Sequence, residues 1–343
     1  MKKAGYSVVE IAQCDKSFIL NEIKIVALKK PKNRIYRFFI TSFHLLQAAL
    51  KENCDLYHFH DPELIPVGLA LKAMGKKVIF DVHEDLHETI TYKKWIPSFG
   101  RSILKGLVLM SEYISGIFFD RIVTATEKIA KRFPESKTTV IYNYPILDEL
   151  VIENPLPQAD KEKACVYVGG ISPERGFYQM VDAIGKSPNV MLNVVGQVNS
   201  ADFQKYISEK NLEKQVFLVG RQGRNEVARY LNKARLGLVL LHPTQNHFWS
   251  YPIKMFEYMS IGLPVIASDF PQWREIIEKS DCGLLVNPLN VDEIVNAIDL
   301  IVSDDVLAKR LGENGRKAIF STYNWAVEEV KLLDLHEKIF KHD

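Results

Sequence analysis

Short, nearly continuous apolar runs alternate with stretches of helical periodicity along almost the whole chain, and that alternation leaves few folds open. In the first half the runs are YSVVEIA (6–12), IKIVAL (23–28), DLYHFH (55–60), KVIFDVH (77–83), RIVTAT (121–126) and TTVIYN (138–143). They are rich in β-branched residues and lack polar–apolar alternation, the pattern of parallel strands covered on both faces. Helical stretches such as RFFITSFHLLQAALKEN and PELIPVGLALKAMG lie between them, and the second closes on a glycine suited to a helix stop. A segment with three prolines and many charges, 144–163, interrupts the pattern. It then restarts with ACVYVGG, VMLNVVG, QVFLVG, RLGLVLL, LPVIAS and CGLLVN, with helical stretches between them. The 343 residues exceed what one core usually holds. The expectation is α/β with two doubly wound units: residues 1–145, a linker over 146–163, a second unit over 164–322, and a C-terminal helix, 323–343, packing back on the first.

Composition excludes several classes. Hydrophobic content of 47% with 25% charged residues is the balance of a globular chain, not of a disordered or fibrous one. The longest apolar stretch, Ile103 to Phe119, is interrupted by Lys105 and Glu112, so no spanning helix is expected. The start carries Glu10 and Gln13 where a signal peptide needs an apolar run, which reads as cytoplasmic. Cys14, Cys54, Cys165 and Cys282 are far apart, giving neither a zinc knuckle nor a disulfide framework. Residues 1–150 hold 22 Lys/Arg against 17 Asp/Glu, and the remainder 22 against 25. A basic cluster of Lys24, Lys29, Lys30, Lys32, Arg34 and Arg37 is either a solvated face or a surface for phosphates, on an anionic membrane or an acceptor. Nucleic acid is not expected, because aromatic stacking motifs are missing and the net charge is only +2.

Ligands of doubly wound sheets bind beyond the carboxyl ends of the strands, which points to the loops after Gly169, Gly196, Gly220 and Leu241. No GxGxxG follows a strand, and the Walker pattern, an Asp-x-Asp pair and HExxH are absent, so neither a bound cofactor nor a metal is expected. In YVGGISPERGF (167–177), Gly169 and Gly170 would let a ligand approach the backbone, and Arg175 can fork onto a phosphate near a helix start; a tight turn and a surface arginine explain the same residues. In WSYPIKMFEYMSIGLPVIASD, Glu257 sits inside an apolar helix, where it needs good hydrogen bonds such as a ribose diol offers, or pairing with Lys254 three residues earlier. His58 and His60 alternate on one strand and share a face; His83 ends another strand before the polar turn EDLHET. Framework histidines and cleft histidines are both open readings.

These blocks carry a specific resemblance. VGGISPERG, then PIKMFEYMSIGLPVIASD with Glu257 82 residues after Arg175, then CGLLVNPLNVDEIVNAI and RLGENGRKA resemble glycosyltransferase family 4, of the two-Rossmann GT-B fold. DLYHFHDPELIPVGLALKAMGKKVIFDVHED in the first half resembles its bacterial polysaccharide-assembly branch. The resemblance implies two Rossmann-like domains facing a cleft. It also implies retaining, metal-independent transfer from a nucleotide-diphosphate-sugar donor to a polysaccharide, oligosaccharide or lipid-linked acceptor. By position, Glu257 would hold the donor ribose and Arg175 the diphosphate. Pro252, Ile253 and Lys254 would lie beside them, and His83 would line the reaction centre. The sequence departs from the pattern in three places: Gly170 stands for a frequent Arg, Trp249 for an acidic residue eight positions before Glu257, and Pro252 for a Gly. Lys254 is the candidate to replace the missing cation. The family's first strand, its Gly-rich loop and most of its first helix have no counterpart ahead of KKAGYSVVEIA. A central sheet position is therefore expected to be empty, filled by something else, or supplied by a start upstream of Met1. The rival expectations are a non-catalytic chain that binds nucleotide sugar or a partner, and a nucleotide-sugar epimerase on the same fold.

Overall fold

The structure is a computed structural model and describes residues 1–33, 36–92, 96–147, 152, 155–198 and 200–341. The chain forms two compact units, Met1–Tyr142 with Glu328–Asp343, and Asn143–Val327. Arg34 of the basic cluster and most of 148–154 lie outside the described residues.

In the first unit the strands form two sheets instead of one. β1 (Val9–Gln13) pairs in parallel with β3 (Ile23–Leu28), and β2 (Phe18–Leu20) pairs antiparallel on the other side of β3. The second sheet is all parallel, in the order β4 (Leu56–Phe59), β5 (Lys77–Val82), β6 (Arg121–Thr124) and β7 (Thr138–Val140). β1 and β4 each end a sheet and do not pair with one another. No residue of either is buried, whereas five of the six in β5 are. β2 was not expected: its three residues are exposed, and it is returned onto β3 by Asn21 and Glu22, both at positive φ (48° and 63°), the torsions of a two-residue hairpin turn.

The core of this unit packs Phe59, Phe80 and Phe119 against one another, beside Val78, Val82, Ile122 and Leu71. Helix Ile65–Ala73 lies against them through Gly68, where a Cβ would fall 2.7 Å from ring atoms of both Phe119 and Phe59. Helix Ser98–Phe118 buries Val108, Glu112 and Ser115 on one side, with Arg132 donating two hydrogen bonds to the Glu112 carboxylate. Its other side leaves Phe99, Ile103, Leu107, Met110, Tyr113 and Ile117 exposed. No described helix is long and apolar enough to cross a membrane.

The second unit is one parallel sheet of six strands: β8 (Ala164–Val168), β9 (Met191–Val195), β10 (Val216–Gly220), β11 (Leu236–Val239), β12 (Val265–Ser268) and β13 (Gly283–Val286). The order is β10-β9-β8-β11-β12-β13. The chain winds outward from β8 to β10 and returns to place β11 on the other side of β8. The strand order therefore reverses between β8 and β11, where such sheets bind their ligands.

Candidate functional site

At the end of β8 the chain turns through Gly169, whose φ of 122° is hard for a side-chain-bearing residue. Its N–H donates to Val195 O at 2.9 Å, and its carbonyl lies so near Gly196 that a Cβ there would sit 1.9 Å from the oxygen. The next turn, Pro173–Arg175, closes on Gly176 at φ 78°, where a Cβ would fall 2.2 Å from Leu240 O. These glycines bring the backbone after β8 against the ends of β9 and β11. They also aim Arg175 back, so that its Nη1 donates to Gly170 O at 2.6 Å beside a hydrogen bond from the Tyr167 hydroxyl at 2.9 Å. Gly170 thus receives the guanidinium of Arg175 instead of carrying a cation itself.

Helix Ile253–Ser260 approaches the same place from the other side of the switch point, capped by Pro252. Gly237 of β11 admits its Tyr258 ring, since a Cβ at Gly237 would lie 2.2 Å from Tyr258 Cδ2, and Val168 N donates to the Tyr258 hydroxyl at 2.8 Å. One turn earlier, Lys254 Nζ sits 3.6 Å from the centre of the Tyr167 ring. It lies 3.1 Å from where a Gly169 Cβ would be, with no hydrogen-bond partner among the described residues. Burial holds its pKa well below the usual lysine value; Arg175 adds to that shift and Glu257 opposes it. A desolvated lysine amine over a π face, next to a guanidinium, is a place suited to a bound anion.

Glu257 is 8% exposed, and its Oε1 accepts from Arg224 Nη1 at 2.6 Å. The partner of Glu257 is therefore Arg224, the first residue of helix Arg224–Lys233, and not Lys254. Sequence reasoning missed Arg224; a glutamate buried in an apolar helix demands a cation, but nothing local says which. Glu257, Arg224, Ile253 and Ser260 line an open groove of about 350 Å³ together with Asn143–Ile146 and Trp325. Trp249 follows the short helix Gln245–Phe248 and is partly exposed, and the segment after it is tied down by Trp273 Nε1 donating to Ser250 O at 2.7 Å. The structure thus brings Gly169, Gly170, Arg175, Pro252, Ile253, Lys254 and Glu257 to one end of one sheet.

His83 belongs to the first unit. It follows β5, and its Nε2 lies 2.7 Å from His60 Nδ1 and 3.4 Å from Asp81 Oδ2. The same Asp81 oxygen is 3.0 Å from His58 Nε2 and 3.3 Å from His60 Nδ1. Parallel register sets His58 beside Ile79 and Phe59 beside Phe80, so His58 and His60 share a face with Asp81 and His83. Burial alone would raise the Asp81 carboxyl, but hydrogen bonds from the three histidines outweigh it and hold it well below the usual range. In the basic cluster, Lys24 pairs with Glu52 at 2.7 Å, and Arg37 pairs with Asp61 at 3.0 Å and with Glu63.

Comparison with known proteins agrees across both units. The family described as "Glycosyltransferase Family 4" matches residues 1–144, and "Glycosyl transferases group 1" matches residues 148–318. N-acetyl-alpha-D-glucosaminyl L-malate synthase of Bacillus anthracis is 21% identical over 311 residues, 86% of this chain and 77% of that protein. Lipopolysaccharide 1,6-galactosyltransferase of Salmonella typhimurium is 27% identical over 186 residues, 52% of this chain and 50% of that one. Among solved structures, sucrose-phosphate synthase from Thermosynechococcus elongatus superposes with a TM-score of 0.78 at 20% identity, covering 100% of this chain and 91% of its own. Anabaena HepE in complex with UDP gives 0.73 at 15% identity, covering 92% and 87%. Two Rossmann-like units, a reversal point lined by glycines and cations, and these matches over nearly the whole length place the chain in glycosyltransferase family 4, a glycosyltransferase of the GT-B fold.

Proposed function

We propose that the chain moves a sugar, with retention, from a nucleotide-diphosphate sugar to a saccharide or lipid-linked acceptor, and that the second unit holds the donor without a metal at the diphosphate. The observation that carries this reading is Lys254: a buried amine with no hydrogen-bond partner among the described residues, beside Arg175 and the Gly169 backbone at the strand-order reversal. A diphosphate supplies the charge that this place lacks. Negative charge builds on the leaving diphosphate as the glycosidic bond breaks, and cations already in position stabilise it without reorganisation. Glu257, its Oε1 held by Arg224, presents its carboxylate to the ribose. His83, beside His60 and Asp81, is the candidate catalytic residue of the first unit. One relative is a lipopolysaccharide 1,6-galactosyltransferase and HepE is solved in complex with UDP, which supports a nucleotide-sugar donor and leaves base and sugar open.

Calorimetry on Arg175→Ala tests the reading. Affinity for a nucleoside diphosphate is expected to fall by about 1.5–3 kcal/mol, the range for a charge-assisted bond, with little change for the nucleoside. Equal losses for both would remove Arg175 from the diphosphate.

The first unit is proposed to rest on an anionic bilayer that presents the acceptor. Helix Ser98–Phe118 exposes a continuous apolar face from Phe99 to Ile117, and Phe38, Phe39, Ile40 and Phe43 are exposed just after the exposed Lys29, Lys30 and Lys32. Apolar side chains flanked by lysines suit an interface of anionic headgroups. Co-sedimentation with phosphatidylglycerol vesicles is expected at low salt and is expected to fall steeply as salt rises. No binding at low salt would leave the lysines as a solvated face.

A further inference from the structure

We propose that His58, His60 and Asp81 form a binding site for a borderline divalent ion of the zinc class, in the first unit and separate from the donor groove of the second. One ligand atom from each, His58 Nε2, His60 Nδ1 and an Asp81 oxygen, lies within 4.8 Å of the other two. Two of the separations are 3.0 and 3.3 Å. Tetrahedral zinc with ligands at 2.0–2.2 Å spaces its donors by about 3.3–3.5 Å, so these two separations lie within a few tenths of an ångström of that spacing. Imidazole and carboxylate donors suit zinc and its neighbours and are poor for magnesium.

The backbone builds this convergence before any ion arrives. His58 and His60 occupy alternate positions on β4, and the parallel register sets Asp81 on the same face of the neighbouring β5. Asp81 is 6% exposed and its Oδ1 has no hydrogen-bond partner among the described residues, so a carboxylate is held in place with acceptor capacity to spare. The His60 side chain is 58% exposed, which leaves an entry path from solvent. Three protein donors leave a fourth position for water or a ligand oxygen, and His83, 2.7 Å from His60, borders it. The alternative is a purely hydrogen-bonded cluster, in which one oxygen of Asp81 serves three imidazoles while the other serves none.

Tag-free chain, stripped of metal and checked by elemental analysis, is titrated with Zn²⁺ against a chromophoric chelator, and separately with Co²⁺ and Mg²⁺. One Zn²⁺ equivalent per chain is expected, with a tetrahedral Co²⁺ visible spectrum and no competition from Mg²⁺. His58→Gln and His60→Gln are each expected to lower zinc affinity at least 10-fold, since even outer-shell changes cost that much. His44→Gln, an exposed histidine of the same unit, serves as the matched control and is expected to leave affinity unchanged. Far-UV circular dichroism of metal-free samples verifies that the variants fold. Absence of zinc binding above the chelator background, affinity unchanged in His60→Gln, or equal displacement by Mg²⁺ would overturn the site. The readout involves no nucleotide and is independent of the donor reading.

Discussion

Lys254→Met is expected to stabilise the ligand-free chain and to abolish the preference for a nucleoside diphosphate over its nucleoside. Lys254 lies with its Nζ over the Tyr167 ring, so methionine replaces a buried amine that lacks a hydrogen-bond partner among the described residues with an apolar end of similar length. Relief of such a group is worth about 1–3 kcal/mol. The sign with pH follows from the depressed pKa. Below its folded-state pKa Lys254 is charged in both folded and unfolded chains, and the cost of burying that charge is fully present. As pH rises through the folded-state value the amine deprotonates first in the folded chain, so wild-type stability rises and the gap to the variant narrows. Urea melts of both proteins over a pH series read this directly. A variant less stable than wild type, or one that still prefers the diphosphate, would contradict the role given to Lys254.

Glu257→Ala is expected to weaken the nucleoside and the nucleotide sugar alike, by at least about 10-fold, because both ligands carry the ribose that this carboxylate would hold. The fold should hold. Arg224 is half exposed, and ion pairs of that kind contribute only about 0–1 kcal/mol. The melting temperature should therefore move little while binding falls. A large loss of stability with unchanged nucleoside affinity would make Glu257 a structural residue whose task is to hold Arg224.

The sheet of the second unit was legible because each of its strands is an apolar run closed by a turn. The first unit was harder to read. β2 is three exposed residues, and its turn, Asn21–Glu22, lacks the glycine that usually marks a hairpin. The apolar runs of the first unit read as one parallel sheet, yet β1 and β4 each end a separate sheet. Glu257 and Arg175 stood out because a charge in an apolar helix and a glycine-flanked arginine are local anomalies. Arg224 did not, since its pairing with Glu257 spans 33 positions and needs the fold to appear. Asp81 was hidden within the run KVIFDVH, and only the register of β4 on β5 sets it against His58 and His60.

The central claim is that the second unit is a nucleotide-sugar site built on Lys254, Arg175 and Glu257. Thermal melts of the wild-type chain against UDP-, GDP- and dTDP-sugars, their diphosphates and their nucleosides test it most directly. A ligand that binds only the folded state stabilises it by about 2.7 kcal/mol at one hundred times its Kd. At least one base series should raise the melting temperature in the order nucleotide sugar and diphosphate above nucleoside. Lys254→Met should lose that order, and Glu257→Ala should shrink the shift for nucleoside and nucleotide sugar alike. No shift with any nucleotide, or shifts that survive both substitutions, would contradict the account.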